Sequence, residues 1–454
     1  MTMRRPEVTW RWGAYAIVVL GCGVALLGAP AAPRGAAPEF GAQARADVTA
    51  AAGAHLDGEP GPLRASIEPA GSAADLAAVS SPAGAGGVAP AIAPDASGAP
   101  AAPVSGADVT EPADRLAPPL RRATFAFSGD TLPHDPVIES ARRHGGGAFD
   151  FAPMFARIAP IVEWADLAIC HLETPIAPDG EPLSPAPRYG VPKEVTTGIA
   201  AAGYDRCSTA SNHSLDRGSV GIDATVTALL GAGLSQTGIA RSPQESSTPV
   251  VLDVAGIRVS HLSYSWSFNG FNLPAGQPWR ANLIDSRRIV GDAAASRAAG
   301  AEVVIVSLHW GNEGVTAVTP YQRRVAGEVL GSGAVDVIVG HHAHVIQPIE
   351  QVNGRWVVFG MGNTLSNMPT GAVPGANTQD GIIATVAIAE QADGSFVVEQ
   401  PIVYPTWVDR EGGHVIRPVL TDLADASTPA SIRAQLQVSL DRTRDVVGDF
   451  IFEG

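Results

Sequence analysis

A chain of 454 residues with 45% hydrophobic content has room for one large core or two ordinary ones. Its formal net charge of −15, with no Lys/Arg cluster beyond the first few residues, argues against nucleic acid or an anionic membrane surface as the main partner. Three cysteines, Cys22, Cys170 and Cys207, include no CxxC pair, which speaks against a disulfide framework or a structural zinc site.

The amino end carries Arg4, Arg5 and Arg11, followed by an uncharged apolar run from Trp12 to Ala32. Basic residues ahead of a run long enough to span the hydrocarbon core read as an export signal. An uncleaved anchor over 1–32 is the first expectation. A signal cleaved near Ala29-Pro30-Ala31 and a lipoprotein modified at Cys22 are the alternatives. All three place the remainder outside the cytoplasm, at the bacterial cell membrane or secreted. Residues 33–119 are rich in Ala, Pro, Gly and Ser, hold Phe40 as their only aromatic residue, and keep no helical or strand period. Such a segment buries too little apolar surface to offset its ordering entropy, and is expected to be a disordered linker.

From residue 120 the pattern becomes globular. Ala123–Phe127 reads as a strand ending in Ser128-Gly129-Asp130, and Phe151–Trp164 as a helix interrupted by Pro153 and Pro160. Leu167–Cys170 is a strand ending in His171-Leu172-Glu173. A helix over Lys193–Ala202 leads to the strand Arg206–Ala210, which ends in Ser211-Asn212-His213. Cys170 and Cys207 lie in these apolar runs; buried free thiols are expected, with a bridge between them as the alternative.

A helix over Ser219–Leu230 and a short strand over Leu234–Thr237 follow, then a hairpin of Pro249–Val254 and Ile257–Tyr264 around Ala255-Gly256. Next come a helix over Ser286–Ala299 and the strand Val303–Leu308, which runs into His309-Trp310-Gly311. Thr319-Pro320-Tyr321-Gln322 carries a cap, a first-turn proline and a capping-box glutamine, so a helix is expected to Leu330. The β-branched strand Val337–Val339 then opens into Gly340-His341-His342-Ala343-His344. Strands over Trp356–Gly360, Gly381–Ala389 and Phe396–Pro401 and a helix over Pro429–Val447, capped by Thr428, complete the domain. The expectation is an α/β domain over 120–420, two sheets packed together with helices outside, and a C-terminal helix over 421–454 packed on it.

Five expected strands end in groups that bind metal or move protons: Asp130, Glu173, Asn212 with His213, His309, and His342 with His344. Singly, each also has an ordinary reading: a turn at Gly129-Asp130, a solvated loop carboxylate at Glu173, a cap at Asn212 or a core histidine at His309. Their recurrence at strand ends of one domain outweighs those readings. A mixed carboxylate, amide and imidazole set suits one or two divalent transition ions such as Mn, Fe or Zn.

The order Gly129-Asp130, His171-Leu172-Glu173-Thr174-Pro175, Ser211-Asn212-His213-Ser214-Leu215-Asp216, His309-Trp310-Gly311 and Gly340-His341-His342-Ala343-His344 resembles the CapA-type capsule-synthesis family, implicated in poly-γ-glutamate synthesis. Val345-Ile346-Gln347-Pro348 and Gly362-Asn363 also look like its signatures, and the resemblance covers roughly 124–403. It implies a calcineurin-like metallophosphoesterase fold, a four-layer α/β/β/α sandwich with a dinuclear metal site at strand ends. Asp130, Glu173, Asn212, His309, His342 and His344 would be the metal ligands. His213 would stabilise the transition state or protonate the leaving group, with Asp216 orienting it. His341 falls where the family varies and is given at most a supporting role.

The chain also departs from the pattern. Asp130-Thr131-Leu132 stands where the phosphoesterases have Asp-x-His, with His134 two places further on; Leu172-Glu173 replaces a Gly-Asp, and His171 and Ser211 each replace an Asn. The first metal site would then be weak, mononuclear or completed by His134. The implied activity is metal-dependent hydrolysis acting on a capsule or envelope polymer, with membrane synthase components as further partners. The alternatives are a non-catalytic polymer-binding or synthase-scaffold role, and metal-dependent amide hydrolysis.

Overall fold

Residues 120–369 and 377–453 are described by a computed structural model. The expected anchor over 1–32 and linker over 33–119 lie outside these residues. Among the described residues no helix is long and apolar enough to cross a membrane.

One sheet begins with β1 (Arg122–Leu132), β2 (Leu167–Leu172), β3 (Arg206–Ser208) and β4 (Ser235–Thr237). A second sheet holds β5 (Leu252–Val254), β6 (Ile257–Ser265), β7 (Val303–His309), β8 (Val337–His341), β9 (Ile349–Val352) and β10 (Arg355–Val358). The chain then returns to the first sheet with β11 (Asn363–Ser366), β12 (Asp380–Glu390), β13 (Phe396–Val398), β14 (Ile402–Asp409) and β15 (Val415–Pro418). The first sheet runs β15-β14-β12-β1-β2-β3-β4, with β11 beside β1 and β13 beside β12; the second runs β5-β6-β7-β8-β10-β9.

Side-chain alternation explains the layering. Phe125, Phe127 and Ile169 of the first sheet share one core with Val259, Ile305, Val337 and Val339 of the second, so the two sheets pack face to face. The intervening residues Ala126, Ala168, Cys170 and Leu172 face the other way, onto the helices Asp135–His144, Glu194–Ala201 and Gly218–Gly231. Val304, Val306, Leu308 and Ile338 meet the helices Ser286–Ala298 and Pro320–Gly331 on the far side. The result is helices, sheet, sheet, helices. Leu436, Leu440 and Val447 of the helix Ala430–Val447 join the inter-sheet core beside Val403 and Trp407.

β1 to β4 are mutually parallel, as are β6, β7 and β8, so their carboxyl ends gather at one rim of each sheet. The register of β1 shifts between Phe127 and Asp130 against β2 and again at Asp130/Thr131 against β11. Such irregularities re-aim a side chain out of the regular alternation. Here the re-aimed residue is Asp130.

Several expectations change. The stretch after Leu132 holds the helix Asp135–His144, opened by a proline in its first turn, which the sparse apolar residues of that stretch conceal. Phe151–Trp164 resolves into two single turns, Ala152–Phe155 and Ala159–Val162, each with a proline near its start. β14 and β15 go beyond the expected strands, since Pro405 inside β14 masks a strand that pairs on both sides. Thr428 does not cap the last helix; Pro429 occupies that position without a side-chain bond. The capping box at Thr319 and Gln322 is present in full.

Cys170 and Cys207 form a disulfide, which corrects the expectation of free thiols. They face each other in register on the parallel strands β2 and β3, with Cα atoms 4.5 Å apart. Pairing across strands 37 residues apart in sequence is not visible in the sequence alone. Closing a loop of that length stabilises by roughly 4 kcal/mol in the chain-entropy model. Denaturant unfolding with and without reductant should differ by a loss of that order, and Cys207→Ser should reproduce the reduced curve.

His414 supplies a pH-dependent element of stability. It is 3% exposed, with Nδ1 2.8 Å from Ser140 Oγ and Nε2 2.9 Å from Asn367 Oδ1. Burial, then Arg410 and Arg143, pull its pKa down to about 4 against the opposing field of Asp409. A depressed imidazole contributes stability that is present above its ordinary value of 6.5 and lost as pH falls toward 4. Urea unfolding across that window should lose up to ~1.4 kcal/mol per pH unit through this one proton, and His414→Asn should flatten the slope.

Candidate metal centre

The inter-sheet bond that closes the site runs from His341 to Asp130. His341 Nδ1 donates to Asp130 Oδ1 at 3.1 Å, and the backbone N–H of His342 donates to Oδ2 at 3.0 Å. His344 Nδ1 lies 3.3 Å from the same Oδ2 and 3.0 Å from Asn363 Oδ1. Asp130 therefore sits among donors from the end of β8. Burial alone would push its pKa up; the bonds from His341 and His344 outweigh it and hold the carboxyl well below the usual range.

Glu173, two residues past His171 at the end of β2, has the opposite environment. It is 1% exposed, and neither carboxylate oxygen has a hydrogen-bond partner. Around Oε1 stand His344 Nε2 at 3.7 Å, His309 Nε2 at 3.8 Å and His213 Nε2 at 4.0 Å. Those separations are too long for hydrogen bonds. They are the spacing of ligand atoms that face a common centre. Burial pushes the Glu173 carboxyl well above its ordinary value, and pushes the imidazoles of His171 and His309 well below theirs and that of His342 down to about 3. Neutral imidazole is the form that binds metal. His344 is pushed up to about 10: burial opposes this, but the fields of Glu173 and Asp130 prevail.

Two sets of residues each bring their ligand atoms within 4.8 Å of one another, Asp130 with His171 and His341, and Glu173 with His342 and His344. All six residues are buried. The His344–Asp130 contact joins the sets. His342 Nδ1 is itself buried without a partner, like the Glu173 oxygens. Three orphaned polar atoms in one enclosed place fit a bound cation, because buried polar groups otherwise find partners. The donor set, imidazole with carboxylate, suits a two-metal site of first-row transition ions.

The residues singled out from sequence are brought together as follows. Asp130 falls in the first set, and Glu173, His342 and His344 in the second. His309 and Asn212 stand beside the second set but are bonded to each other, His309 Nε2 donating to Asn212 Oδ1 at 2.9 Å. His213 Nδ1 donates to Asp216 Oδ2 at 2.7 Å, which leaves Nε2 toward Glu173. Asp216 also accepts the Tyr189 backbone N–H at 2.8 Å, which fixes the carboxylate. His134 does not reach Asp130. Its Nδ1 lies 2.9 Å from Leu132 O and 3.2 Å from the Asn367 backbone N–H.

Sequence reasoning gave His171 no ligand role and His341 only a supporting one. Both are packed against Asp130, with their rings stacked at 3.9 Å between centroids. His171 Nε2 also meets His309 Nδ1 at 3.0 Å, and its Nδ1 meets Ser208 Oγ at 2.8 Å, so a buried chain runs Ser208–His171–His309–Asn212. The available signal was position: His171 is the penultimate residue of β2, and His341 is the last of β8. Of the tryptophans, Trp310 is fully buried and donates to Phe359 O at 3.0 Å, whereas Trp266 is 47% exposed with its ring 5.6 Å from that of His342.

Residues 124–368, which span more than half of the chain, match the family described as bacterial capsule synthesis protein PGA_cap. The chain belongs to that family. Among similar proteins, the capsule biosynthesis protein CapA of Bacillus anthracis is 25% identical over 249 residues, covering 53% of this chain and 59% of that protein. The PGA biosynthesis protein CapA of Bacillus subtilis (strain 168) is 24% identical over 241 residues, covering 52% and 62%. The matched region thus spans less than two thirds of either relative. A solved structure, the calcineurin-like phosphoesterase YfkN of Bacillus subtilis, aligns with 72% of this chain and 100% of its own at 14% identity and a TM-score of 0.39. All the strand-end residues discussed above lie within the PGA_cap match.

Proposed function

We propose that this chain is an extracytoplasmic, metal-dependent hydrolase that acts on phosphoester bonds of a capsule or envelope polymer or its phosphorylated intermediate. The observation that carries the reading is Glu173, a buried carboxylate with both oxygens unpartnered and three imidazole Nε2 atoms within 4.0 Å of one of them. The relatives' names, which refer to capsule and PGA biosynthesis, support the polymer. The Cys170–Cys207 disulfide supports an oxidising compartment, in keeping with the basic and apolar amino-terminal sequence.

Asp130, His171 and His341 would hold one divalent ion, and Glu173, His342 and His344 the other, with Asn212 and His309 alongside. Bound there, such ions polarise a phosphoryl oxygen and make water a better nucleophile at neutral pH. The protein's own residues do the rest. His213, its Nδ1–H held by Asp216, presents Nε2 to the site and is placed to give a proton to the departing oxygen. Ser208 and Asn212 fix the orientations of the His171 and His309 rings. His342 and His344 take φ of +86° and +54°, a backbone conformation rare for histidine that bends the chain after β8 and keeps the His342 N–H on Asp130.

The test is elemental analysis of the purified protein together with hydrolysis of generic phosphodiesters and γ-glutamyl amides. About one to two transition metals per chain are expected, with phosphodiester cleavage. His213→Asn should lower kcat by roughly 10²–10⁴-fold at unchanged metal content, and Asp216→Asn should lower it less. A folded protein that takes up no metal would sink the hydrolase reading. Cleavage of the amides alone would transfer it to amide chemistry.

A further inference from the structure

Away from the metal centre, the side chain of Arg206 at the start of β3 is 2% exposed and has no carboxylate partner among the described residues. Its Nε donates to His261 Nδ1 at 3.2 Å, and its Nη1 donates to Ser235 Oγ at 3.0 Å. His261 in turn meets Ser307 Oγ through Nε2 at 2.8 Å, so with Nδ1 accepting it is the neutral tautomer. Both acceptors are therefore uncharged. Nη2 takes no acceptor among the described residues. Burial lowers the pKa of Arg206 only to about 10, so the group is cationic at neutral pH. A buried cation held by neutral acceptors alone is an unusual arrangement, since buried charges are ordinarily paired.

Arg206 forms part of the wall of a cavity of about 360 Å³ between β4, β6 and the helices Pro243–Ser247 and Ser286–Ala298. Ser235, Gln236, Ser246, Thr248 and Asn282 give that wall a polar character. The two acids on the wall are engaged elsewhere, Glu245 with Arg241 at 3.0 Å and Asp292 with the Tyr264 hydroxyl at 2.8 Å. The volume falls in the range of small-molecule sites. A guanidinium that keeps N–H hydrogens beyond those given to His261 and Ser235 can donate to the oxygens of one carboxylate or phosphate.

We propose that this cavity binds a small polar molecule through its carboxylate or phosphate group, with Arg206 as the anchor. The site is independent of the metal reading, because none of its residues belongs to the metal centre.

The test is calorimetric titration of the full chain in a chloride buffer with inorganic phosphate and, separately, with L-glutamate. Variants are Arg206→Met and Val250→Asp, the latter placing a negative charge on the cavity wall at a residue that is 44% exposed. Saturable binding of at least one anion is expected, weakened tenfold or more in both variants; whichever anion binds more tightly identifies the oxyanion. Arg206→Met should unfold no earlier than the parent in the absence of ligand, as removal of an unpaired buried charge predicts. If Arg206→Met does not fold, Val250→Asp decides. Absence of saturable binding overturns the proposal, and so does binding of equal strength in Val250→Asp, which would place the anion at the metal centre instead.

Discussion

Glu173→Gln should leave the metal-free protein as stable as the parent or more so, while metal affinity falls by at least about a hundredfold. The opposite signs follow from one fact. Glu173 is enclosed, with no donor within hydrogen-bond distance of either oxygen. An ionised carboxylate in that position costs several kcal/mol of desolvation, which the field of His344 returns only in part in the metal-free protein. The amide removes that charge at almost constant volume. Once a cation is present the same carboxylate becomes its counter-charge, and the amide cannot replace it. Thermal unfolding with chelator and with added Mn or Zn should therefore give curves that cross: the variant melts no earlier than the parent without metal, and gains little where the parent gains RT ln(1 + [L]/Kd). If instead the variant were clearly destabilised without metal and bound metal as the parent does, Glu173 would be an ordinary structural carboxylate. The two-ion reading would then lose its second set.

The strand ends were legible in the sequence because a buried β-branched run seldom breaks abruptly into His, Asp or Asn except where a sheet presents polar groups at its rim. Val303–Leu308 before His309 and Val337–Val339 before the histidines are the clearest cases. The way side chains face at those ends was not legible. His342 and His344 both take positive φ, so the regular alternation of an extended strand ends at that point. His341, still within β8, is thereby free to meet Asp130 from the opposite sheet. Asp130 itself is aimed by the register shift after Phe127, a property of strand pairing that local sequence does not carry. The disulfide and the Arg206 cavity are hidden for the same reason. Each depends on which strands become neighbours.

Gly340→Ala should cost roughly 4 kcal/mol or more and lower metal occupancy with it. Gly340 lies on β8 immediately before His341. A Cβ there would stand 1.9 Å from the Phe359 carbonyl oxygen and 2.6 Å from Trp310 Nε1. The first is backbone and the second belongs to a fully buried indole, so neither can swing aside as an exposed side chain would. The missing side chain is what allows the indole to reach the Phe359 carbonyl, 3.0 Å away. Relief would require β8 to move from the Phe359 segment, breaking that bond and carrying His341, His342 and His344 with it. Gly327, inside the helix Pro320–Gly331, gives the contrasting case: nothing lies within 4 Å of its Cβ position and its backbone is helical. There alanine should stabilise by about 0.5–1 kcal/mol, through helix propensity alone. Denaturant unfolding of the two variants, with metal content measured on each, separates a close backbone approach from a general sensitivity to glycine replacement. Equal effects at the two positions would mean that the packing at Gly340 is not what holds the histidines in place.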